Sequence, residues 1–298
     1  MNVLVTGGSG FIGRNIVKAL KEKGNEVGSL DIKEKNSVAD YHITCDIRNR
    51  HMVKKALKGI DQVFHLAAVT SPPEFENLMA DGYEVNVLGT YNILAASQAN
   101  GVRRVVIASS SSIYGNSSTM TQEENFTKEY ANFYPLTKRI NEMTAKLFKD
   151  YSLEVVALRY FNTYGAGENS KGPYSSVIWK FIESIRNNRK PVIYGDGKQS
   201  RDFVYVKDVA AASILSMENG KPGEAYNIGS GSSTSFNAIL DIVKRETGYQ
   251  GDAEYVKNPL KSYQHFTLAD ISKSRQMLGY SPQYDITMGV RDILHSLK

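Results

Sequence analysis

Residues 2–13 read NVLVTGGSGFIG, and this stretch determines the class of fold. The mainly apolar run at residues 2–6 predicts a buried strand, and three glycines follow it at intervals of three. In this spacing Gly7 allows a tight turn, Gly10 lets a phosphate approach the backbone, and Gly13 lets a helix pack closely on the strand. The N–H groups that begin such a helix favour a bound phosphate. The alternative is a turn with a purely structural role.

The residue that ends the second predicted strand indicates which dinucleotide would bind at this loop. Asp31 follows Gly13 by eighteen residues, where a carboxylate accepts hydrogen bonds from both ribose hydroxyls of an adenosine and repels a 2′-phosphate. This favours NAD over NADP, although Lys33 and Lys35 leave NADP as an alternative. No Gly-Lys-Ser or Gly-Lys-Thr ends the glycine stretch, which disfavours a P-loop ATPase or GTPase.

Strands and helices alternate through the first 160 residues, which is typical of a doubly wound parallel sheet. Strands are predicted at Asn2–Thr6, Glu26–Asp31, Tyr41–Cys45, Gln62–Leu66, Arg104–Ser109 and Glu154–Arg159. Helices are predicted at Gly10–Lys23, Arg48–Leu57, Gly82–Ala99 and Tyr134–Tyr151. After residue 160 the elements become shorter and richer in Gly, Asn, Tyr and Ser. We therefore expect a smaller lobe there, closing over the carboxyl edge of the sheet.

Composition places the chain among ordinary globular proteins. Its 298 residues, 41% hydrophobic and 22% charged, suffice for a core without disulfides or structural metal. Cys45 is the only cysteine and the five histidines lack metal-ligand spacing, so no metal site is predicted. The net charge of +5 is spread along the chain, which favours a solvated surface over nucleic-acid binding. No signal peptide or membrane-spanning run is predicted, so we expect a soluble, cytoplasmic protein.

A serine, a tyrosine and a lysine form the candidate reactive group. Residues 107–115, IASSSSIYG, follow a buried strand and place serines at the carboxyl edge of the sheet, where such sheets bind ligands. Tyr134 and Lys138 begin a predicted helix and share one of its faces at a spacing of four. A neighbouring cation stabilises a tyrosinate, which makes Tyr134 a candidate base. An exposed helix start is the alternative.

Two other features of the sequence bear on that assignment. Tyr194 and Lys198 repeat the spacing, but they lie in a Gly-Asp-Gly turn without a helix to fix them. On the helix of Tyr134, an apolar set occupies another face, which we expect to pack while Tyr134 faces a ligand; the set is Leu136, Ile140, Met143 and Leu147.

Taken together, the motifs resemble the extended short-chain dehydrogenases/reductases, in the NAD-dependent epimerase/dehydratase family and most closely its UDP-glucose (galactose) 4-epimerase group. The resemblance covers nearly the whole chain. It rests on the order of VTGGSGFIG (5–13), HLAA (65–68), NVLGTYNIL (86–94), SSSSIYG (109–115), the Tyr134–Lys138 pair, LRYFNTYG (158–165) and YGDGKQSRDFVYVKDVA (194–210). It implies a Rossmann-type NAD-binding domain at residues 1–160. Residues 161–298 would then mainly form a substrate-binding α/β lobe, with some segments returning to the sheet.

The resemblance also assigns site residues. Ser110, Tyr134 and Lys138 would be catalytic. The residues that would contact NAD are Gly7, Gly10, Phe11, Ile12, Gly13, Asp31, Asp46, Ile47, Leu66, Ala67, Ala68, Asn86, Ser109, Tyr134, Lys138, Tyr160 and Phe161. Those that would contact a nucleotide-sugar substrate are Ser110, Asn162, Val192, Tyr194, Arg201 and Thr267.

The reaction that the resemblance implies is epimerisation at C4 of a nucleotide-activated hexose through a 4-keto intermediate, as in galactose metabolism. UDP-glucose and UDP-galactose are the expected substrates, and the small Thr267 predicts tolerance of N-acetylhexosamines. In 4,6-dehydratases of the family an Asp-Glu pair follows the catalytic hydroxyl, and decarboxylases have a Glu there. Here Ser111 and Ser112 occupy those positions. A reductase or dehydrogenase with the same triad, or a dehydratase, remains the enzymatic alternative, and a dinucleotide-sensing module is the non-enzymatic one.

One segment departs from the family pattern. Residues 258–270, NPLKSYQHFTLAD, lack the arginine that relatives use to hold the diphosphate, and Lys261 is a candidate substitute. The helices at 82–99 and 134–151 form a dimer interface in relatives, which predicts a homodimer. An apolar face for it would come from Val85, Val87, Leu88, Tyr91, Leu94 and Ala95, although packing on the sheet is an equal interpretation.

Overall fold

A seven-stranded parallel sheet forms the centre of the computed structural model, which describes residues 1–33, 38–70, 75, 77–117, 119–121, 127, 130, 132–259 and 263–298. Its strands are β1 (Asn2–Thr6), β2 (Glu26–Asp31), β3 (Tyr41–Thr44), β4 (Gln62–His65), β5 (Arg104–Ser110), β6 (Glu154–Tyr160) and β10 (Ala225–Ile228). Their order is β10-β6-β5-β4-β1-β2-β3, and all neighbours are parallel. The predicted doubly wound sheet is confirmed. The strand order reverses between β1 and β4, which opens a ligand crevice at their carboxyl ends.

Helices cover both faces of this sheet. On one face lie α1 (Phe11–Glu22), α6 (Val206–Asn219) and α8 (Ser272–Leu278). On the other lie α2 (Arg50–Ala56), α4 (Phe133–Phe148) and α3, which is made of Met79–Tyr83, a π-helical turn at Glu84–Gly89 and Thr90–Ala99. Strand β1 shows why both faces are covered, because it has apolar side chains on each of them. Val3 and Val5 pack toward α1, Leu4 packs toward the opposite face, and all three are fully buried. A strand buried on both faces needs a continuous apolar run rather than an alternating one.

The C-terminal half contributes a third apolar cluster. Its helices are α5 (Val177–Arg186), α7 (Phe236–Thr247) and α9 (Ile286–Ser296). Two small sheets accompany them, β11-β9-β7 and β12-β8, built from β7 (Asn162–Tyr164), β8 (Val192–Tyr194), β9 (Ser200–Tyr205), β11 (Ser233–Ser235) and β12 (Glu254–Val256). Strand β10 and helices α6 and α8 also come from this half, but they belong to the large sheet and its cover. Among the described residues, none of the helices combines the length and hydrophobicity needed to cross a bilayer.

Helix α4 reverses the usual arrangement of polar and apolar faces. Its buried face is largely polar and consists of Tyr134, Thr137, Lys138, Asn141 and Glu142, with Pro135 and Ala145. The apolar set that we expected on another face of the helix lies toward the surface, with Met143 57% and Leu147 64% exposed and Leu136 and Ile140 half-buried. The polar side chains of α4 occupy the face that meets the sheet, so Met143 and Leu147 are left uncovered by the described part of the chain.

Candidate active site

The loop between β1 and α1 depends on close approaches that only glycine permits. Gly7 has φ +68°, and a Cβ there would lie 2.7 Å from the backbone nitrogen of Ala67. A Cβ at Gly13 would lie 2.1 Å from the Gly7 carbonyl oxygen. These contacts are the tight turn and the close helix packing that the spacing predicted.

The start of α1 is open to a ligand. Gly10 is the N-cap residue and supplies no side-chain cap, so the N–H groups of the first turn, around Phe11 and Ile12, lack that partner. A Cβ at Gly10 would meet one described atom within 4 Å, the Gly7 carbonyl oxygen at 3.1 Å. The loop therefore has both the donors and the space that a pyrophosphate requires.

Asp31 lies beside this loop at the end of β2. Its carboxylate accepts hydrogen bonds from the Ser9 N–H and the Lys33 N–H, each at 3.0 Å, and the residue is buried. Asp46 is less available, because Arg48 forms an ion pair with it at 2.7 Å and lowers its pKa. Ile47 is buried against Gly89, so its side chain belongs to the core rather than to a ligand surface. The predicted contact of Ile47 with the cofactor stays a prediction.

The half-buried residues Leu66, Ala67 and Ala68 follow β4 on the other side of the crevice. Asn86 fixes the loop that they begin: its Oδ1 accepts the Val69 N–H at 2.8 Å and its Nδ2 donates to the Val69 carbonyl at 3.0 Å. The remaining donor of Asn86 reaches Thr137 Oγ1 at 3.2 Å, and the residue is fully buried. Its amide is thus used within the protein, where it positions this loop, and its predicted contact with the cofactor stays a prediction.

His65, at the end of β4, supports the same loop through hydrogen bonds to two threonines. Thr90 donates its hydroxyl to the Asn86 carbonyl at 2.6 Å, so Thr90 Oγ1 accepts from His65 Nε2 at 3.0 Å. The other ring nitrogen, Nδ1, then accepts the Thr6 hydroxyl at 2.7 Å, and Thr6 Oγ1 accepts the Ala67 N–H at 3.3 Å. Burial lowers the pKa of His65 to about 3, so the ring is neutral and fixed in one tautomer.

The structure brings Ser110, Tyr134 and Lys138 together beside the crevice. Asn132 caps α4 by accepting the Tyr134 N–H at 3.1 Å, which sets the start of the helix next to the end of β5. Ser110 ends β5, and the turn that follows it lies against α4. Burial raises the pKa of Tyr134 to about 12, and the neighbouring Ser110 opposes that rise.

Lys138 supplies the cation of this group. Its Nζ donates to the Ala108 carbonyl at 2.9 Å and lies 5.9 Å from the centre of the Tyr134 ring. Only 4% of Lys138 is exposed, and burial lowers its pKa to about 8, against the opposing effect of Glu142. A positive charge at this distance favours ionisation of the tyrosine.

Glu142 is a residue that the sequence analysis missed. It lies one turn beyond Lys138 on the buried face of α4 and forms a two-pronged ion pair with Arg159 of β6, with both N–O distances at 2.8 Å. Ser109 donates to the same carboxylate at 2.6 Å, so the Ser109 side chain is occupied there. Burial acts to raise the pKa of Glu142, but the guanidinium of Arg159 outweighs it and the pKa is lowered. The sequence did contain a signal for this residue, because Glu142 follows Lys138 by four residues and therefore lies on the same face of the helix.

Hydrogen bonds continue from this ion pair into the C-terminal half. Arg159 donates to the Tyr114 hydroxyl at 2.9 Å, and that hydroxyl donates to Asn227 Oδ1 at 2.5 Å. Asn227 donates in turn to the carbonyls of Thr121 and Asp270, at 3.1 and 3.0 Å. The helix that carries Tyr134 is therefore connected to the segments that contain Thr121 and Asp270.

Three predicted substrate residues lie on those segments and on β7 and β9. Asn162 Nδ2 donates to Thr267 Oγ1 at 3.0 Å, and Thr267 Oγ1 also accepts the Asp202 N–H at 3.0 Å. The buried guanidinium of Arg201 stacks over Tyr263 at 5.2 Å and over Phe236 at 5.8 Å. Burial lowers its pKa to about 10, which leaves it charged at neutral pH.

The remaining predicted residues lie further out. Val192 and Tyr194 are 43% and 39% exposed on β8, and Tyr194 reaches Tyr263 through Gln199, which donates to the Tyr194 carbonyl and the Tyr263 hydroxyl. In the alternative pair, Tyr194 ends β8 and Lys198 follows the turn at residues 195–196, so the two residues do not share a helix. Lys261 lies outside the described residues.

Two predicted nicotinamide neighbours are core residues. The Tyr160 ring packs between the sheet and α6, on the face opposite α4, and its hydroxyl pairs with Ser213 at 2.8 Å. Phe161 packs in the same cluster, 6.3 Å from the Tyr114 ring. The Tyr160 side chain faces away from α4 because alternate residues of β6 face opposite sides of the sheet, and a place for Tyr160 near the nicotinamide stays a prediction. Within the described part of the chain, no group of three or more His, Cys, Asp or Glu is arranged to hold a metal.

Comparison with known proteins agrees with this geometry. A model of the NAD dependent epimerase/dehydratase family matches residues 3–229. The chain belongs to this family. A protein of Methanocaldococcus jannaschii, provisionally named a UDP-glucose 4-epimerase, is 37% identical over 306 residues that cover 99% of this chain and 98% of the relative.

Solved structures of other epimerases have the same fold as this family member. One is the UDP-N-acetylglucosamine 4-epimerase from Methanobrevibacter ruminantium M1, in complex with UDP-N-acetylmuramic acid. It is 34% identical to this chain with a TM-score of 0.92, and the match covers 99% of this chain and 97% of the epimerase chain. The UDP-glucose 4-epimerase from Thermotoga maritima, with UDP-glucose, is 30% identical with a TM-score of 0.93, covering 100% and 98%. The family is NAD-dependent, which agrees with the open loop at α1 and with Asp31.

The Glu142–Arg159 pair leads to a stability prediction. Replacing Glu142 by Gln leaves the Arg159 guanidinium buried without its counter-charge, and we expect the free energy of unfolding in urea to fall by about 3–5 kcal/mol. Glu218→Gln is the control, because Glu218 pairs with Lys23 on the surface and we expect a change within about 1 kcal/mol. Equal changes in the two variants would contradict the assigned importance of the buried pair.

Lys138 leads to a pH prediction for the ligand-free protein. Its pKa of about 8 lies below the 10.5 of an ordinary lysine, so between these values the unfolded chain binds more protons and stability rises with pH. Lys138→Met should abolish this rise between pH 8 and 10 and stabilise the protein at pH 7 by about 1–3 kcal/mol. Lys146→Met, on the exposed side of α4, should keep the rise. Urea unfolding across this pH range tests both, and a rise that persists without Lys138 would refute the prediction.

Proposed function

We propose that this protein is an NAD-dependent nucleotide-sugar 4-epimerase acting on UDP-glucose and UDP-galactose, with the corresponding N-acetylhexosamines as further substrates. The arrangement of Ser110, Tyr134 and Lys138 beside the phosphate loop carries the proposal. Ser111 and Ser112 support it, because members that remove water or carbon dioxide need carboxylates at those positions. The epimerases compared above act on UDP-glucose and on UDP-N-acetylglucosamine. A role in galactose metabolism and a cytoplasmic location belong to the same proposal.

The residues around the crevice fit NAD. The glycine loop and the start of α1 would hold the pyrophosphate, Asp31 would bind the adenosine ribose, and Leu66, Ala67 and Ala68 would flank the cofactor. Tyr134 and Lys138 would hold the nicotinamide ribose. When bound, NAD supplies a reversible hydride acceptor. We assign this work mainly to residues 1–160.

Tyr134 would act as the base that removes the proton of the sugar's C4 hydroxyl. A tyrosine whose pKa is near 12 cannot do so at neutral pH, so its surroundings must favour the ionised form. Lys138 provides a positive charge within 6 Å of the ring, and Ser110 acts to lower the pKa of Tyr134. Both groups stabilise the tyrosinate more than the neutral tyrosine. The proton returns from Tyr134 when the epimeric hydroxyl forms.

Residues 161–298 would mainly hold the nucleotide diphosphate and the sugar. Arg201 supports this assignment, because it is 94% buried and no carboxylate pairs with it among the described residues. A buried guanidinium without a counter-charge is costly, and a diphosphate would supply that charge through paired hydrogen bonds. Asn162 and Thr267 would adjoin the sugar.

A panel of sugar nucleotides tests the proposed reaction. We expect UDP-glucose and UDP-galactose to interconvert with no change of mass, resolved by chromatography, and Tyr134→Phe to lower kcat by about 10²–10⁴-fold because the base is lost. Tyr255→Phe, at an exposed position on β12, is the matched control and should keep the activity. Loss of water or carbon dioxide from the substrate, or net oxidation of it, would assign a different reaction. Bound NAD without any turnover, together with an indifferent Tyr134→Phe, would favour a sensor.

We also propose that the protein forms a homodimer through α3 and α4. These helices lie side by side and expose Leu88, Tyr91, Met143, Leu147 and, just beyond α4, Tyr151. Phe148 joins Tyr91 and Tyr151 into one aromatic row, with ring centres 6.2 Å apart. Of the apolar face expected from the sequence, Leu94 packs in the sheet core and Val85, Val87 and Ala95 are half-buried. A two-fold axis would pair this surface with itself in a four-helix arrangement.

A charge placed in that surface tests the dimer. Leu147→Glu should convert the protein to a monomer in analytical ultracentrifugation, because a carboxylate would be buried without a partner between the copies. Met52→Glu changes an exposed methionine on α2 in the same way and should leave the assembly intact. A wild-type protein that sediments as a monomer at micromolar concentration would refute the dimer.

A further inference from the structure

Asp202, in β9, joins three segments of the chain around one fully buried carboxyl group. Its Oδ1 accepts the Ser230 N–H at 2.7 Å and the Ser230 hydroxyl at 2.8 Å. Its Oδ2 accepts the N–H groups of Gly231 and Ala269, each at 3.0 Å. Ser230 and Gly231 belong to the loop that follows β10 of the large sheet. The side chain therefore fastens β9 both to that loop and to the segment around Ala269.

The backbone of Asp202 holds two of the residues that we assign to the substrate. Its N–H donates to Thr267 Oγ1 at 3.0 Å, and its carbonyl accepts from Asn162 Nδ2 at 3.0 Å. Asn162 Nδ2 also donates to Thr267 Oγ1 at 3.0 Å, which closes a ring of hydrogen bonds. The Thr267 N–H in turn donates to the Ser200 carbonyl at 3.2 Å. The placement of β9 thus determines the placement of Asn162 and Thr267.

Arg201, the residue before Asp202, points to the other side of β9, because alternate residues of a strand face opposite sides. The Arg201 guanidinium lies over the rings of Tyr263 and Phe236, whereas the Asp202 carboxyl group meets the loop after β10 and Ala269. Among their described contacts, the two neighbouring side chains do not bond to each other. Burial raises the pKa of Asp202, and the N–H groups around it oppose that rise in the place of a cation. The Arg201 guanidinium is thereby left for an anionic ligand.

We propose that Asp202 is a positioning residue for the substrate, which fixes β9 so that Arg201, Asn162 and Thr267 meet one nucleotide-sugar. The inference rests on the proposed function for the identity of that ligand. Its physical content is that one buried carboxyl group sets the contacts to the nucleotide diphosphate and leaves those to NAD unaffected. This is measurable with UDP alone, without turnover of a sugar.

An amide in this position cannot replace the carboxyl group. Asp202→Asn keeps the shape of the side chain, but it exchanges one accepting oxygen for an NH₂ group that donates. In either orientation the NH₂ group faces N–H donors, that of Ser230 or those of Gly231 and Ala269. One of the two segments must then move away from β9. No hydrogen bond of Asp202 within the described chain reaches the phosphate loop at residues 7–13, so we expect NAD binding to be unchanged.

Asp208, at the start of α6, gives a matched control for a merely structural role. It is also a buried aspartate, and its carboxyl group accepts the N–H groups of Gln283 and Tyr284 at 2.9 and 3.0 Å. In the described part of the chain, no hydrogen bond joins these three residues to a residue that we assign to the substrate. Asp208→Asn should therefore lower the stability to urea, as Asp202→Asn does, and leave substrate binding as it is.

Calorimetric titration of the NAD-loaded protein with UDP is the first readout. We expect Asp202→Asn to raise the Kd for UDP about 10–100-fold, because buried N–H groups lose their acceptor, and Asp208→Asn to stay within about twofold. Ser230→Ala removes only the hydroxyl and keeps the carboxyl group, so it should raise this Kd about threefold and provides a test if Asp202→Asn does not fold. The NAD released on denaturing the purified proteins should be equal in all of them.

Kinetics on the interconverted sugars give the second readout. Asp202→Asn should raise KM about tenfold or more and lower kcat by less than about threefold, because substrate contacts change and the base does not. An unchanged Kd for UDP in Asp202→Asn and Ser230→Ala would overturn the inference, and so would equal rises in Asp202→Asn and Asp208→Asn. If the wild type binds UDP but converts no sugar nucleotide, the proposed reaction fails separately, and the UDP titration still decides on Asp202.

Discussion

The ion pair between Glu142 and Arg159 joins the parts of the molecule that the reaction needs. Glu142 belongs to the helix that carries Tyr134 and Lys138, and Arg159 belongs to a central strand of the sheet. Two buried charges are stable only when each is paired and fully hydrogen-bonded, so the helix has one permitted position against the sheet. That position places Tyr134 beside Ser110 and connects both, through Tyr114 and Asn227, to the segments on the substrate side.

The polar face of α4 has a second consequence. A helix of sixteen residues has limited surface, and here the face toward the sheet is occupied by the polar side chains of Tyr134, Thr137, Lys138, Asn141 and Glu142. The apolar residues of the helix are left on the outside, next to those of α3. The chemistry of the site and the proposed self-association thus come from one constraint on one helix. The buried polar groups also reduce stability, which is a common cost of an active site.

Much of the site follows from local sequence. The β1 turn, the glycine contacts of α1, the position of Asp31 and the shared face of Tyr134 and Lys138 all depend on residues close together in the chain. The motifs did not indicate how the side chains of Ile47, Asn86 and Tyr160 are placed, although all three lie in recognised motifs. Each faces the core or a neighbouring loop, because strand alternation and helix packing direct its side chain there.

The sequence by itself determined the order of strands and helices, the phosphate loop and the identity of the serine, tyrosine and lysine, because periodicity and turn chemistry act over a few residues. The tertiary structure decided which distant groups meet. Asn162 bonds Thr267 across 105 residues, Tyr114 bonds Asn227 across 113, and Ser109 reaches Glu142 across 33. These contacts depend on how helices and strands pack around a shared core, and no spacing in the chain encodes that packing.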